Sequence, residues 1–375
     1  MKVTVNIARV LVGALFIFSG LVKAIDPLGL AYKMQEFFEV WADEGIMKGM
    51  MMWLHSHALL FSVTMISLEV ILGVALLLGI GKKLTAWLLL LLMLLFTFLT
   101  SYVLFSGKIR ACGCFGDCIP LTPIQTFTKD IILLLLVLLI LFKTDLIKPV
   151  FSSRINILLL SLSIAGVVFL QWWVLKHLPL KDCLPYKVGN DLYKLRQMPA
   201  DAVQDKYSYA FIYEKDGVKK EFTTDLPDSS WKYVDRKQTL VQKGKNNVPL
   251  INDFSFTTES GNDTTEAILG QEKEYYLLFI KTMDDYPKNW DGDIALITAA
   301  NIYQKRSIYI VTAQPDKVKE RFATKIKKEE MPLILTCDVT AIKTAARANP
   351  TVFLMNGPIV KHKWSWADFG DVIKR

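Results

Sequence analysis

The sequence predicts a membrane α-helical bundle followed by a soluble α/β domain. Three observations carry this. Of 375 residues 52% are hydrophobic and the mean hydropathy is +0.31, too apolar for an ordinary soluble chain. Nearly all of the excess lies before about residue 178, in five long apolar runs. After residue 274, short apolar stretches alternate with amphipathic ones, the pattern of strands and helices packed in layers.

The first run, 7–24, follows Lys2. Its length, its poor small-residue cleavage pattern and the spans behind it separate it from a cleaved signal peptide. Segment 26–53 is mixed: Leu30, Met34, Phe37, Phe38 and Trp41 recur at helical spacing, with Lys33, Glu36 and Glu39 between them. It reads as an amphipathic helix, either lying at the interface or docked on the bundle. Further runs occupy 59–80, 84–105, 127–142 and 155–175. Each is near the ~20 residues that cross the hydrocarbon, the fourth only if its polar lead-in is buried.

With five spans, Lys2 and Arg9, then Lys82 and Lys83, then Lys143, Lys148 and Arg154 fall on one side. The positive-inside rule makes that side cytoplasmic and places the loop after the third run, and everything beyond Lys176, outside. Up to Leu178 there are 14 Lys+Arg and 9 Asp+Glu; the remainder has 30 and 27. No dense basic patch interleaved with aromatics appears, so the partner is the lipid bilayer and not nucleic acid.

Segment 111–120, ACGCFGDCIP, holds three of the five cysteines, Cys112, Cys114 and Cys118. Thiols in a short loop at a bilayer surface are a candidate redox or metal site. A Cys112–Cys114 bridge would close a very small, strained ring; Cys114–Cys118 or Cys112–Cys118 is less strained. Three thiols allow one disulfide and one attacking thiol. Cys183, just beyond the fifth run, belongs near the same face and is a candidate resolving thiol. The alternative is static disulfides pinning the loop to the soluble domain. Cys337, in an expected strand, reads as a small buried hydrophobe.

Glu69 sits midway along the second span, where a carboxylate is costly and by default functional. Arg9 is its expected partner, for function or merely to hold two helices together. Lys23, Asp26, Lys129 and Asp130 gather at the outer ends of the first and fourth spans, to lower a thiol pKa or to anchor the interface. Met47, Met50, Met51 and Met52 near His55 and His57 offer a further reading, Cu(I) handling.

In the second half, 207–226 reads as a hairpin turning at 215–217, and 226–262 as polar and irregular. From 274 the expected order is strand, helix (291–304), strand, helix (316–324), strand, helix (341–348), two strands and a final helix. The expected division is a four-helix unit over 1–148, a fifth span over 149–178, a β-rich linker over 179–248 and the α/β domain over 249–375.

Asn349-Pro350-Thr351-Val352-Phe353-Leu354, with Asn356-Gly357 and Ile359-Val360, resembles the closing half of thioredoxin-like domains. Pro249, Asp253-Phe254 and Gly261 resemble the opening segment of the peroxiredoxin and TlpA-like branch. The redox pair of that family should follow YYLLFI, but KTMDDYPKNW stands there without a cysteine. The resemblance therefore implies a thioredoxin-like fold unable to perform dithiol exchange. The membrane half resembles the DoxX/MauE group through Arg9, Gly13, Phe16, Ser19-Gly20, Lys23, Asp26-Pro27, Glu69, Gly73, the CGCFG element and Lys129-Asp130. It implies a bacterial inner-membrane protein with its soluble domain in the periplasm. Its implied work is thiol–disulfide handling for a periplasmic client or thiol partner, with a quinone as electron partner. Exchange is expected at Cys112, Cys114, Cys118 and Cys183, supported by Arg9, Lys23, Asp26, Glu69 and Asp130. A non-catalytic scaffold is the alternative.

Overall fold

A computed structural model describes all residues except 110–112, 114, 243, 288–289, 291–305 and 374–375. The membrane half comprises α1 (Lys2–Ala24), α2 (Pro27–Asp43), α3 (Lys48–Ser56), α4 (Ala58–Leu78), α5 (Lys82–Ser106), α6 (Pro123–Phe142) and α7 (Ser153–Lys176). Of these, α1, α4, α5, α6 and α7 are long and apolar enough to cross a bilayer.

The fourth apolar run gains its missing length at its start. Thr122 and Gln125 form a reciprocal capping box and Pro123 occupies the first turn, so α6 begins four residues before the apolar stretch. The amphipathic segment is two helices and not one. Gly45 (φ 82°) and Met47 (φ 39°) break it, both in the left-handed region. Asp26 caps α2 by accepting from the Gly29 amide at 3.2 Å. α2 is docked on the bundle: Ser62 Oγ donates to the Pro27 carbonyl at 2.7 Å, and Phe37 is buried beside Tyr102.

α1 and α4 pack closely because small residues meet. A Cβ on Gly73 would lie 2.8 Å from the Gly13 carbonyl oxygen and 2.8 Å from Ile17 Cγ1. Arg9 does not pair with Glu69. Its guanidinium donates to the carbonyls of Leu76 (2.8 Å), Leu77 (2.6 Å) and Lys148 (3.1 Å). Leu76 and Leu77 lie in the last turn of α4, which ends at Gly79, and the Leu76 carbonyl also accepts from the Gly79 amide.

After α8 (Leu192–Arg196) comes a three-stranded antiparallel sheet of β1 (Lys206–Lys215), β2 (Val218–Phe222) and β3 (Lys232–Gln242), in the order β2-β1-β3. The hairpin turns as expected, with Asp216 (φ 53°) and Gly217 (φ 77°) in the left-handed region that a two-residue turn requires. β3 lies inside the stretch expected to be irregular. It is exposed along its whole length, so it has no apolar alternation to betray it and is held by pairing with β1.

The α/β domain adds α9 (Thr265–Leu269), β4 (Glu274–Ile280), β5 (Ser307–Thr312), α10 (Pro315–Ala323), β6 (Leu333–Thr336), α11 (Val339–Ala345), β7 (Thr351–Asn356), β8 (Ile359–Ser365) and α12 (Gly370–Ile373). The helix expected over 291–304 lies outside the described residues. The strands form one mixed sheet in the order β6-β5-β4-β7-β8. β4, β5 and β6 are parallel, and β7 and β8 are antiparallel. β4 is central and buried on both faces, with Phe254, Phe279 and Phe353 packed on one side and Tyr276, Phe322 and Val352 on the other. Cys337 is 4% exposed in this core, and burial pushes its thiol up to about 12. The Asn349–Pro350 peptide is cis.

The domain sits on the membrane half. Arg347, whose side chain is 6% exposed, reaches Asp26 at 2.8 Å and Asp117 at 3.1 Å. His177, at the end of α7, meets Asp368 at 2.6 Å. Lys281, directly after β4, donates to Tyr32 Oη (3.2 Å) and to the Arg347 carbonyl (2.9 Å). Burial, then the charge of Arg347, hold the Lys281 ammonium down to about 7. The same burial pushes Tyr32 up to about 12.

Two outcomes are expected from this packing. Gly73→Ala should lower the thermal midpoint in detergent, costing about 1–3 kcal/mol by overpacking against backbone. Gly166→Ala in α7, with nothing near its Cβ, should not lower it. Between pH 7 and 10.5 the unfolded chain keeps the Lys281 proton that the folded chain has lost, so this site stabilises the fold as pH rises. Below pH 7 the ammonium is buried at a cost on the order of 5 kcal/mol. The stability of Lys281→Met relative to the natural protein should therefore be greatest at pH 6 and decline towards pH 10, as read by thermal unfolding across that range.

Candidate functional site

The cysteine loop is bent by Gly113 (φ 73°) and Gly116 (φ 58°), the Gly116 amide donating to the Gly113 carbonyl at 2.9 Å to close a turn. Phe115 turns down onto the bundle. Its ring packs on Phe18 at 6.0 Å, and Lys129 Nζ lies 4.8 Å over its centre. Cys118 is bonded to Cys183, with Cα atoms 5.0 Å apart. The loop between α5 and α6 is thus joined to the segment that leaves α7. Cys112 and Cys114 lie outside the described residues.

Each bonded cysteine directly follows an aspartate, and each aspartate pairs with a cation of the α/β domain. Asp117 meets Arg347 at 3.1 Å, and Asp182 meets Lys363 at 2.7 Å. Both cations are largely buried, at 6% and 7% exposure. Asp26 adds a second carboxylate to Arg347. Burial raises the Asp26 pKa, while the guanidinium opposes that rise. A disulfide held at a domain junction by two charge-assisted contacts can stiffen the junction. Both of its cysteines are half-buried.

A second group of charges lies deeper. Glu69 is paired with Lys23, both almost fully buried. The Lys23 ammonium also lies 4.9 Å from the Phe96 ring centre. Glu69 is level with Gly20, since a Cβ there would be 3.2 Å from Glu69 Cβ. Arg9 is eleven residues further along α1, or about 16 Å at the helical rise, beyond the reach of its side chain. Lys23 is a single turn away. Asp130 is fully buried on α6, with Lys129 Nζ 2.7 Å from Oδ1. Hydrogen-bond geometry is met at neither Asp130 oxygen, nor at Glu69 Oε2. Both carboxylates line a small cavity with Ser19, Phe115 and Lys129. Its volume of about 20 Å³ suits one water and not a quinone ring.

The expected site residues therefore separate into two places. Cys118, Cys183 and Asp26 meet at the junction; Lys23, Glu69 and Asp130 meet within the bundle. Arg9 belongs to neither and serves the opposite end of α4. The methionine and histidine segment forms no converging set: Met51 is buried, Met50 is exposed, and His57 stacks on Trp53. Among the described residues no three His, Cys, Asp or Glu side chains lie close enough to hold one metal ion. Sequence reasoning missed Asp117, Asp182, Lys281, Arg347 and Lys363. The two Asp-Cys dipeptides, 117–118 and 182–183, were a visible signal for the first pair.

Two segments of the chain match family models. Residues 1–143 match the family described as methylamine utilisation protein MauE. Residues 207–243, the three-stranded sheet, match a domain of unknown function, DUF8463. A protein of Flavobacterium psychrophilum named Protein TlpB is 32% identical over 137 residues, which are 36% of this chain and 35% of that relative. The chain thus spans about a third of the length of the curated relative it matches. No solved structure matches the chain. Within the membrane half, residues 1–143, from α1 through α6, are thus similar to the MauE family.

Proposed function

We propose that this is an inner-membrane protein of envelope thiol–disulfide redox, with exchange at the cysteine loop and a periplasmic thioredoxin-like domain that has no dithiol of its own. The carrying observation is the Cys118–Cys183 bond, placed at the junction and flanked by two paired aspartates. With those two sulfurs joined, Cys112 and Cys114 are the remaining thiols of the same loop. A thiolate at either one attacks Cys118 or Cys183. A new S–S bond forms as the old one breaks, the leaving sulfur departs as a thiolate, and solvent supplies its proton.

The order β5-β4-β7-β8, with a parallel first pair and an antiparallel second, supports the thioredoxin-like reading. In that reading Lys281 stands where the redox pair of such a domain begins, and it faces the protein's own α2. The domain therefore acts as a clamp on the loop and not as an oxidoreductase. Lys82, Lys83 and Lys148 lie at the opposite end of the bundle from Asp26, Asp117 and His177, which supports a periplasmic place for the clamp. No step is routed through a quinone, since the cavity beside Glu69 and Asp130 does not fit one. The scaffold reading is favoured by the same disulfide if it never opens.

Trapping in native membranes decides between them. Cys→Ser variants at 112, 114 and 118, made singly, should each change the set of mixed disulfides captured after acid quenching, with at least one accumulating. If none appears and function persists in all three, the bridge is structural and exchange is wrong.

A further inference from the structure

Between α2 and α11 runs a cleft of about 650 Å³. One wall carries Tyr32, Gln35 and Glu39 of α2; the other carries Thr340, Lys343 and Thr344 of α11. At one end its lining residues Gly29, Lys33, Asp117 and Leu184 also wall the small hollow that contains Cys118 and Cys183. The cleft therefore ends on the disulfide.

Its chemistry narrows the occupant. The charge of Arg347 is taken by Asp26 and Asp117, and that of Lys33 by Glu36 at 2.8 Å. Lys343 reaches Gln35 at 3.4 Å and lies 5.4 Å over the Tyr32 ring. Glu39 is exposed on the opposite wall. Charge is nearly balanced, which disfavours a phosphate or another strongly anionic ligand. The size falls within the range of ligand-binding clefts and exceeds what a small thiol would need. Amide, hydroxyl and aromatic groups on facing helices suit a polypeptide backbone.

We propose that this cleft binds an extended thiol-bearing polypeptide and delivers its cysteine to the Cys118–Cys183 bond. The partner thiolate attacks one of the two sulfurs. A mixed disulfide forms, the Cys118–Cys183 bond breaks, and the other cysteine leaves as a thiolate that solvent protonates. A second thiol of the partner then resolves the mixed disulfide and leaves the partner oxidised and this pair reduced. Lys33 and Lys181 both line the hollow. The proposal deepens the exchange reading by naming the bond attacked and the class of partner.

The test uses the full chain in native membranes and two reductants, a short single-cysteine peptide and dithiothreitol. Thr340→Trp and, from the opposite wall, Glu39→Trp fill the cleft at exposed positions. Thr324→Trp, distant on the end of α10, is the control. Opening of Cys118–Cys183 is read by alkylation and mass. Each cleft variant should slow the peptide about tenfold and dithiothreitol less than about twofold, while the control changes neither. Equal effects on both reductants, no effect on either, or no peptide adduct on the natural protein would overturn the cleft. These outcomes are independent of trapping at Cys112 and Cys114, so the exchange reading can survive the loss of this one.

Discussion

The structure turns on a buried guanidinium. Arg347 is taken out of water and held between Asp26 and Asp117, which belong to different loops of the bundle. A cation so placed tolerates removal of neither carboxylate well, because burial of an unpaired charge costs several kcal/mol. This gives the contact a directional role that apolar packing lacks. It fixes where the α/β domain sits, which strand end faces the membrane half, and how close the cysteine loop lies to the segment leaving α7. The disulfide then makes covalent what the charges have already brought together.

The architecture was legible where solvent left a strong mark. Five spans show in the sequence because hydrocarbon demands long apolar runs, and β4 shows because a strand buried on both faces is continuously apolar. α6 was legible only in part, its first four residues, PIQT, falling outside the apolar run, although the Thr122 and Gln125 capping pair announced its start. β3 left no mark at all, since a fully exposed strand need not alternate. The site was harder to see. Glu69 was singled out by its cost in the membrane, but its partner depends on how α1 and α4 are staggered, and the stagger is set by Gly13 against Gly73. Sequence distance says nothing of that. Arg347 lay in an unremarkable stretch, AARANP, and its partners come from more than 200 residues upstream.

The α/β domain meets the membrane half at the end of its central strand. At the end of β4 stands Lys281, whose ammonium is strained by burial and steadied by Tyr32 and a carbonyl. The surface around it is spent on the protein's own α2. Two places in the chain thus bear polar groups where packing alone would choose otherwise: the junction and the Lys23–Glu69–Asp130 layer inside the bundle. Phe115 connects them physically, lying in the loop above while walling the small cavity below.

One consequence of the bridge is topological. Cys118 and Cys183 are 65 residues apart, and the chain between them contains α6 and α7 entire. Two membrane helices therefore belong to a closed covalent circle. A cut in the exposed connection between them, around 150–152, would leave both fragments tethered and the polypeptide whole by mass until a reductant is added. Thiol chemistry at one surface of the bilayer would decide whether a scission at the other could separate the pieces.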